Sequence, residues 1–235
     1  MTKMPGGELA TRPLHFIWIC DCSGSMKSDG KIQSLNTAIK EALPAMRKVA
    51  DENPNATVLV RALRFSNGAQ WVTPEPSRVE QFKWFDLDAE GVTDMGKALS
   101  LVADELKIPP MTDRALPPVL VLISDGQPTD DFDAGLKKLM DQAWGKKAVR
   151  ISIAIGSDAD GDVLQKFIGN TEVEPLVAKN AEALVKQIKW VSTVVLQAAS
   201  SPVSQTGERA SGETSVPIPA APVEGDDPAG PGDVW

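Results

Sequence analysis

Asp21-Cys22-Ser23-Gly24-Ser25 sets one carboxylate and two hydroxyls at alternate positions of a short polar stretch. Alternate residues of an extended loop can aim their side chains at one point. Hard oxygen donors at positions n, n+2 and n+4 therefore make half of a cation site. Thr93 adds a third hydroxyl just before a helix-like segment, and Asp125, followed by Gly126, adds a second carboxylate. Such a donor set suits Mg²⁺, which takes oxygen ligands in near-octahedral array at about 2.0–2.1 Å and keeps some waters. The expected metal set is Asp21, Ser23, Ser25, Thr93 and Asp125, with Mg²⁺ as cofactor and Mn²⁺ or Ca²⁺ as alternatives. Each piece alone is commonplace: Asp21 can be a turn residue, Thr93 a helix cap, Asp125-Gly126 a turn. Their joint occurrence singles them out.

The surrounding elements must bring these residues together. Leu14–Cys20 (LHFIWIC) and Val119–Ile123 (VLVLI) are apolar runs, the mark of strands buried on both faces of a parallel sheet. Each ends at a polar turn that carries an aspartate of the set. Further strands are expected at Thr57–Phe65, Gln70–Thr73, Val149–Ile155 and Glu174–Val177, with Gln70–Thr73 a short edge strand after Asn67-Gly68. Between them Ile32, Leu35, Ile39, Leu43 and Met46 recur at helical spacing, and Pro44 should kink that helix or split off its last turn. Other helices are expected near Met95–Leu106, with Thr93 or Asp94 as its cap, and over Phe132–Trp144, Asp162–Ile168 and Ala181–Ala198. Strands alternating with helices argue for an α/β fold, a doubly wound sheet with helices on both faces. Ligands of such sheets sit outside the carboxyl ends of the strands, where the strand order reverses. All five candidate residues fall in loops expected at that edge.

Composition narrows the partners. Of the eight net negative charges, five lie after residue 198, where Glu208, Glu213, Glu224, Asp226, Asp227 and Asp233 face Arg209 alone. With no basic stripe, no nucleic-acid partner is expected. The two cysteines, Cys20 and Cys22, match neither a disulfide framework nor a paired zinc motif and read as small core residues. Residues up to Pro13 lack the apolar stretch of a signal peptide, and Trp190–Ala199 is too short and polar to span a bilayer. No membrane partner is expected, and a cytoplasmic location is. The organisation expected is an extension over 1–13, a domain over 14–198 and a disordered Pro/Ser/Gly-rich acidic tail over 199–235.

The Asp21-x-Ser23-x-Ser25 motif, with Thr93 before a helix and Asp125-Gly126 after a later buried strand, resembles the metal-ion-dependent adhesion site of von Willebrand factor A domains. The resemblance covers about Leu14 to Ala198. It implies a Rossmann-like, mostly parallel six-stranded sheet with one antiparallel edge strand. It also implies that Ser23 and Ser25 ligate the metal directly, Thr93 directly or through water, and Asp21 and Asp125 largely through water. Within the family, Cys20–Met26 and Ser124–Asp130 look most like bacterial TerY-type proteins, associated with tellurium resistance and stress response beside kinase- and phosphatase-like proteins. The expected function is non-catalytic, metal-dependent protein binding, in which the cation captures an Asp or Glu carboxylate of a partner.

The rival class is an enzyme, a metal-dependent phosphohydrolase or phosphotransfer protein using the strand-end aspartates. Its usual partners are missing. The single histidine, His15, stands six strand residues, roughly 20 Å, from Asp21, so a Ser-His mechanism does not fit. Haloacid-dehalogenase-type phosphatases place a second aspartate where this chain has Ser23. Receiver domains want a lysine after the last core strand, where Ile155 is followed by Gly-Ser-Asp, and no glycine-rich phosphate loop with lysine is present.

Overall fold

β1 (Arg12–Asp21) is buried along its whole length from Leu14 onward, because a strand lies on each side of it and a helical layer on each face. The computed structural model describes residues 11–125, 127–156, 159–201 and 216–222. Side chains of β1 alternate between two cores. Leu14, Phe16, Trp18 and Cys20 enter one, with Ile32, Leu35 and Ile39 of α1 (Lys31–Asp51) and Leu184 and Ile188 of α6 (Ala181–Trp190). Phe16 and Trp18 meet edge to face at 4.8 Å. Ile17 and Ile19 enter the other, with Met95, Leu99 and Val102 of α2 (Met95–Glu105), Leu139 of α3 (Phe132–Met140) and Phe167 of α5 (Gly161–Ile168). The same two-residue period runs through β2 (Ala56–Ser66) and β5 (Val119–Ser124). The apolar runs of β1 and β5 are explained: both faces of each are dry.

The remaining strands are β3 (Gly68–Trp71), β4 (Ser77–Arg78), β6 (Val149–Ile155) and β7 (Leu176–Ala178). The order across the sheet is β3-β2-β1-β5-β6-β7, with β3 antiparallel to β2 and the others parallel. The expected doubly wound α/β sheet with an antiparallel edge is therefore what forms. A seventh, two-residue strand, β4, pairs antiparallel with β2 at Leu59 and Val60. It is too short to leave a periodic signal. From β1 the chain passes to β2 on one side, and β5 joins on the other, so the strand order reverses at the β1–β5 pair.

Local departures have local reasons. α1 continues through Pro44 to Asp51 and does not shed a last turn. Pro44 and Lys40, whose carbonyl loses its donor, both lie on the solvent face, where water can take that donor's place. The helix expected over 132–144 is instead α3 and a separate α4 (Ala143–Lys147). Gly145 packs so tightly on the end of α3 that a Cβ there would overlap the Leu139 carbonyl oxygen. The last helix runs as α6, a π turn over Val191–Val195 and α7 (Leu196–Ser200). Ser192 and Thr193 hydroxyls donate to the carbonyls of Ile188 and Lys189, both at 2.7 Å, next to the widened turn.

Residues 216–222 (VPIPAAP) fall within the tail that composition assigns to disorder, yet Val216 is buried in the α1–α6 core and Ile218 packs beside it. Val216 and Ile218, two large apolar side chains among prolines, give this stretch surface to bury. With α6 and the loop 171–175 it bounds a groove of about 560 Å³, which none of the five candidate metal residues lines. The rest of 199–235, apart from Ala199–Ser201, and the extension 1–10 lie outside the described residues. Among the described residues no helix is long and apolar enough to cross a membrane.

Candidate metal centre

Asp21 closes β1 and is fully buried. Its Oδ1 accepts the Ser23 amide at 2.8 Å, and its Oδ2 accepts the Ser124 hydroxyl, from the end of β5, at 2.5 Å. One carboxylate thus ties together the two strand ends at which the order reverses. Burial pushes its pKa up to about 6 against the opposing pull of the Ser124 and Ser23 hydrogen bonds, and the nearby Asp125 carboxylate pushes it further the same way. Two acids sharing a dry pocket is an arrangement that a cation would relieve.

Ser23 and Ser25 turn their hydroxyls toward each other, with Oγ atoms 2.9 Å apart; Ser23 is buried and Ser25 exposed. The chain then enters a 3₁₀ stretch, Gly24–Gly30, where Met26 is buried as an anchor. Asp125 follows β5 and is 4 % exposed, and its Oδ1 has no hydrogen-bond partner. A buried, unpaired carboxylate oxygen is expensive unless something outside the protein's own donors meets it.

Thr93 arrives from a third loop, which lies close to the first. The Glu90 amide donates to the Cys22 carbonyl (2.7 Å), and the Gly24 amide donates to the Gly91 carbonyl (2.9 Å). A side chain at Gly24 would press on that Gly91 oxygen at 3.1 Å. Gly91 itself has φ +75°, a conformation that favours glycine, and a Cβ there would meet the Asn67 side chain. Thr93 is buried, and its amide donates to Thr129 Oγ1 (3.0 Å) while the Thr129 amide donates to the Thr93 carbonyl (2.9 Å). All five expected residues therefore lie along one hydrogen-bonded edge, at the strand-order reversal. Among the described residues no group of three or more His, Cys, Asp or Glu gathers. The donor set here is two carboxylates and three hydroxyls.

Several neighbours read differently from their sequence expectation. Neither Thr93 nor Asp94 caps α2 with its side chain. Asp94 Oδ2 instead accepts the Gly68 amide and the Lys97 ammonium, both at 2.6 Å, and the lysine holds the Asp94 pKa below the usual carboxylate range. Asp130 accepts the Gly96 and Lys97 amides, each at 2.8 Å, and so caps α2 from another loop. Asp131 caps α3 through the Ala134 amide at 2.9 Å. The sequence assigns Ser124 and Thr129 no role of their own, because no short-range pattern marks a side chain whose partner lies on another loop. Gly126 lies outside the described residues. Cys20 and Cys22 are free and buried, as small core residues should be.

His15 pairs in register with Leu59, well down β1 from Asp21. Burial, with the Arg61 guanidinium adding to it, lowers its pKa to about 4. Because the unfolded chain takes up this proton first, near pH 6.5, stability held above that pH is lost as pH falls toward 4. Wild type should lose roughly 3 kcal/mol more than His15→Gln in urea unfolding between pH 7 and pH 4. Asp21 titrates in both proteins and cancels. Parallel pH profiles would show that His15 is not desolvated.

Comparison with known proteins matches residues 17–189 to the family model "von Willebrand factor type A domain". No curated protein matches the chain. Among solved structures, it resembles a von Willebrand factor type A protein from Catenulispora acidiphila, with 18% identity over 79% of this chain and 43% of that one, and a TM-score of 0.59. It also resembles the ArnB paralog VWA2 from Sulfolobus acidocaldarius, with 20% identity over 77% of this chain and 45% of that one, TM-score 0.56. A third is proximal thread matrix protein 1 from the mussel byssus, solved with a zinc-occupied MIDAS motif, with 18% identity over 81% of this chain and 50% of that one, TM-score 0.61. The chain spans half or less of the length of these structures. At such identities the likenesses establish the fold. The family match covers most of the chain, and the chain belongs to the von Willebrand factor type A domain family.

Proposed function

We propose that this domain holds one divalent cation, Mg²⁺ in the cell, at Asp21, Ser23, Ser25, Thr93 and Asp125, and binds a partner protein through it without catalysing a reaction. The observation that carries this reading is the orphaned Asp125 Oδ1, buried near enough to Asp21 to raise its pKa. A cation is the ligand that would satisfy that oxygen and lower the repulsion between the two acids at once. The hydroxyls of Ser23 and Ser25 are already paired on the same turn, and three hydroxyl donors are neutral. With neutral hydroxyls as its direct ligands and the two carboxylates acting largely through water, the ion would keep a strong attraction for a further anionic oxygen.

The bound ion would supply electrostatic attraction for an oxygen anion. Asp21 would hold the Ser23 turn in place through the Ser23 amide and fix it to β5 through Ser124. The Gly24–Gly91 contact would keep the Thr93 loop beside that turn. A carboxylate from an Asp or Glu of the partner is the matching group, because a charge-assisted contact in a partly dry site is strong and directional. Membership of a family of interaction modules supports binding over catalysis. The mussel protein, whose own motif of this kind holds zinc, supports a divalent cation at this site. The likeness of Cys20–Met26 and Ser124–Asp130 to TerY-type proteins makes a stress-response assembly with kinase- or phosphatase-like proteins the setting we propose. Partner capture by the immobilised full chain should require Mg²⁺ and fail in excess EDTA; equal capture in both would refute the reading.

A further inference from the structure

The loop after β5 is fastened to the start of α2 by four hydrogen bonds. Thr93 and Thr129 exchange two, amide to hydroxyl at 3.0 Å and amide to carbonyl at 2.9 Å. Asp130 accepts the other two, its Oδ1 from the Gly96 amide and its Oδ2 from the Lys97 amide, both at 2.8 Å. Directly beside them Gly96 lies so close to the Asp131 carbonyl that a Cβ would stand 2.2 Å from its oxygen. These contacts join two segments of which each carries one candidate ligand, Thr93 on the first and Asp125 on the second. The sheet alone does not join them: β5 places Asp125, but Thr93 lies between irregular chain and α2.

We propose that Thr129 and Asp130 are positioning residues of the metal site, holding the Thr93 hydroxyl and the Asp125 carboxylate at a set separation before the ion arrives. The proposal rests on the metal-dependent reading above. Both Asp130 oxygens accept α2 amides, so its effect on the ion runs through that helix. It works in two ways. Its hydrogen bonds fix the first turn of α2, and so the direction in which Thr93 enters. Its negative charge also offsets the positive end of the α2 dipole, which would otherwise repel a cation bound beside Thr93. Partners of this kind, one step removed from a metal, govern affinity because they spare the ion the work of ordering its ligands. The rival reading is that Asp130 is only a helix cap, which would affect stability and leave ion binding alone.

Calorimetric titration of the full chain with Mg²⁺ separates the two, run beside thermal melts in EDTA. Asp130→Ala should weaken Mg²⁺ binding about tenfold or more. Asp130→Asn, which keeps an acceptor and loses the charge, should fall between it and wild type. Thr129→Val should weaken binding, and Thr129→Ser, which restores the hydroxyl, should stay within about twofold of wild type. Asp130→Ala binding Mg²⁺ as wild type does, whatever its melting temperature, would overturn the proposal and leave the metal site standing, provided Ser23→Ala abolishes binding. Wild type that takes up no Mg²⁺ would overturn both. Should Asp130→Ala fail to fold, the Thr129 pair decides: equal affinity in Val and Ser variants overturns the proposal.

Discussion

Ser23→Ala should reduce Mg²⁺ affinity on the order of 100-fold or more while leaving the metal-free protein nearly as stable as before. The two halves of this expectation come from different contacts. The Ser23 hydroxyl bonds to that of Ser25, its neighbour on the same turn, and supports the Asp21 carboxylate, so its loss should change stability in EDTA by about 1 kcal/mol. The ion, by contrast, would lose one of its few direct ligands, more than the roughly 10–100-fold that follows loss of a group one step further out. Asp21→Ala is the less informative variant. It would strip the Ser124 hydroxyl and the Ser23 amide of their acceptor inside a buried site, so loss of binding and loss of fold would arrive together. Linkage gives a second readout. At a Mg²⁺ concentration of about 100 times Kd, wild type should gain about 2.7 kcal/mol of stability. Ser23→Ala should gain almost none. An equal gain in both proteins would remove Ser23 from the site.

Gly96→Ala should destabilise the fold by about 3 kcal/mol, a loss of roughly 6–12 °C in melting temperature. The added methyl would fall 2.2 Å from the Asp131 carbonyl oxygen and 2.7 Å from its carbon, backbone atoms that cannot rotate away. Gly135, on α3, faces the same seam: its Cβ would stand 2.3 Å from the Gly96 oxygen. The α2–α3 contact is thus backbone against backbone, and either helix must move to admit a side chain. Because α2 begins two residues after Thr93, that movement should weaken Mg²⁺ binding as well. Gly161→Ala is the control. It opens α5, meets nothing within 4 Å and should leave stability unchanged or raise it by up to about 1 kcal/mol. Similar melting temperatures for Gly96→Ala and wild type would show that the seam is looser than described.

Much of this molecule could be read from residue order, for physical reasons that also mark the boundary of such reading. Strands β1 and β5 announce themselves because both faces of each are dry, and a polar turn after each marks the sheet edge. Asp21, Ser23, Ser25, Thr93 and Asp125 were legible as a group because oxygen donors recur directly after those strands and before α2. Their side-chain environment was not legible. The cap of α2 sits 36 residues away from Asp94, one of the two expected positions, on another loop; Asp130 finds its partners only when the chain has folded. Ser124 and Thr129 escape for the same reason. The division between α3 and α4 depends on the close approach of Gly145 to Leu139, which helical periodicity does not encode. Val216 and Ile218 show the converse: a tail poor in apolar residues overall can still carry a short stretch able to pack.

The most direct test of the metal site is a crystal of the chain grown or soaked with Mn²⁺, whose anomalous scattering locates the ion independently of any assumed ligand. One peak within coordinating distance of the Ser23 and Ser25 hydroxyls, with Thr93 and Asp125 facing it, is the expected result. A map with no peak at that edge, or a peak held by other residues, would contradict the assignment and the mode of partner binding built on it.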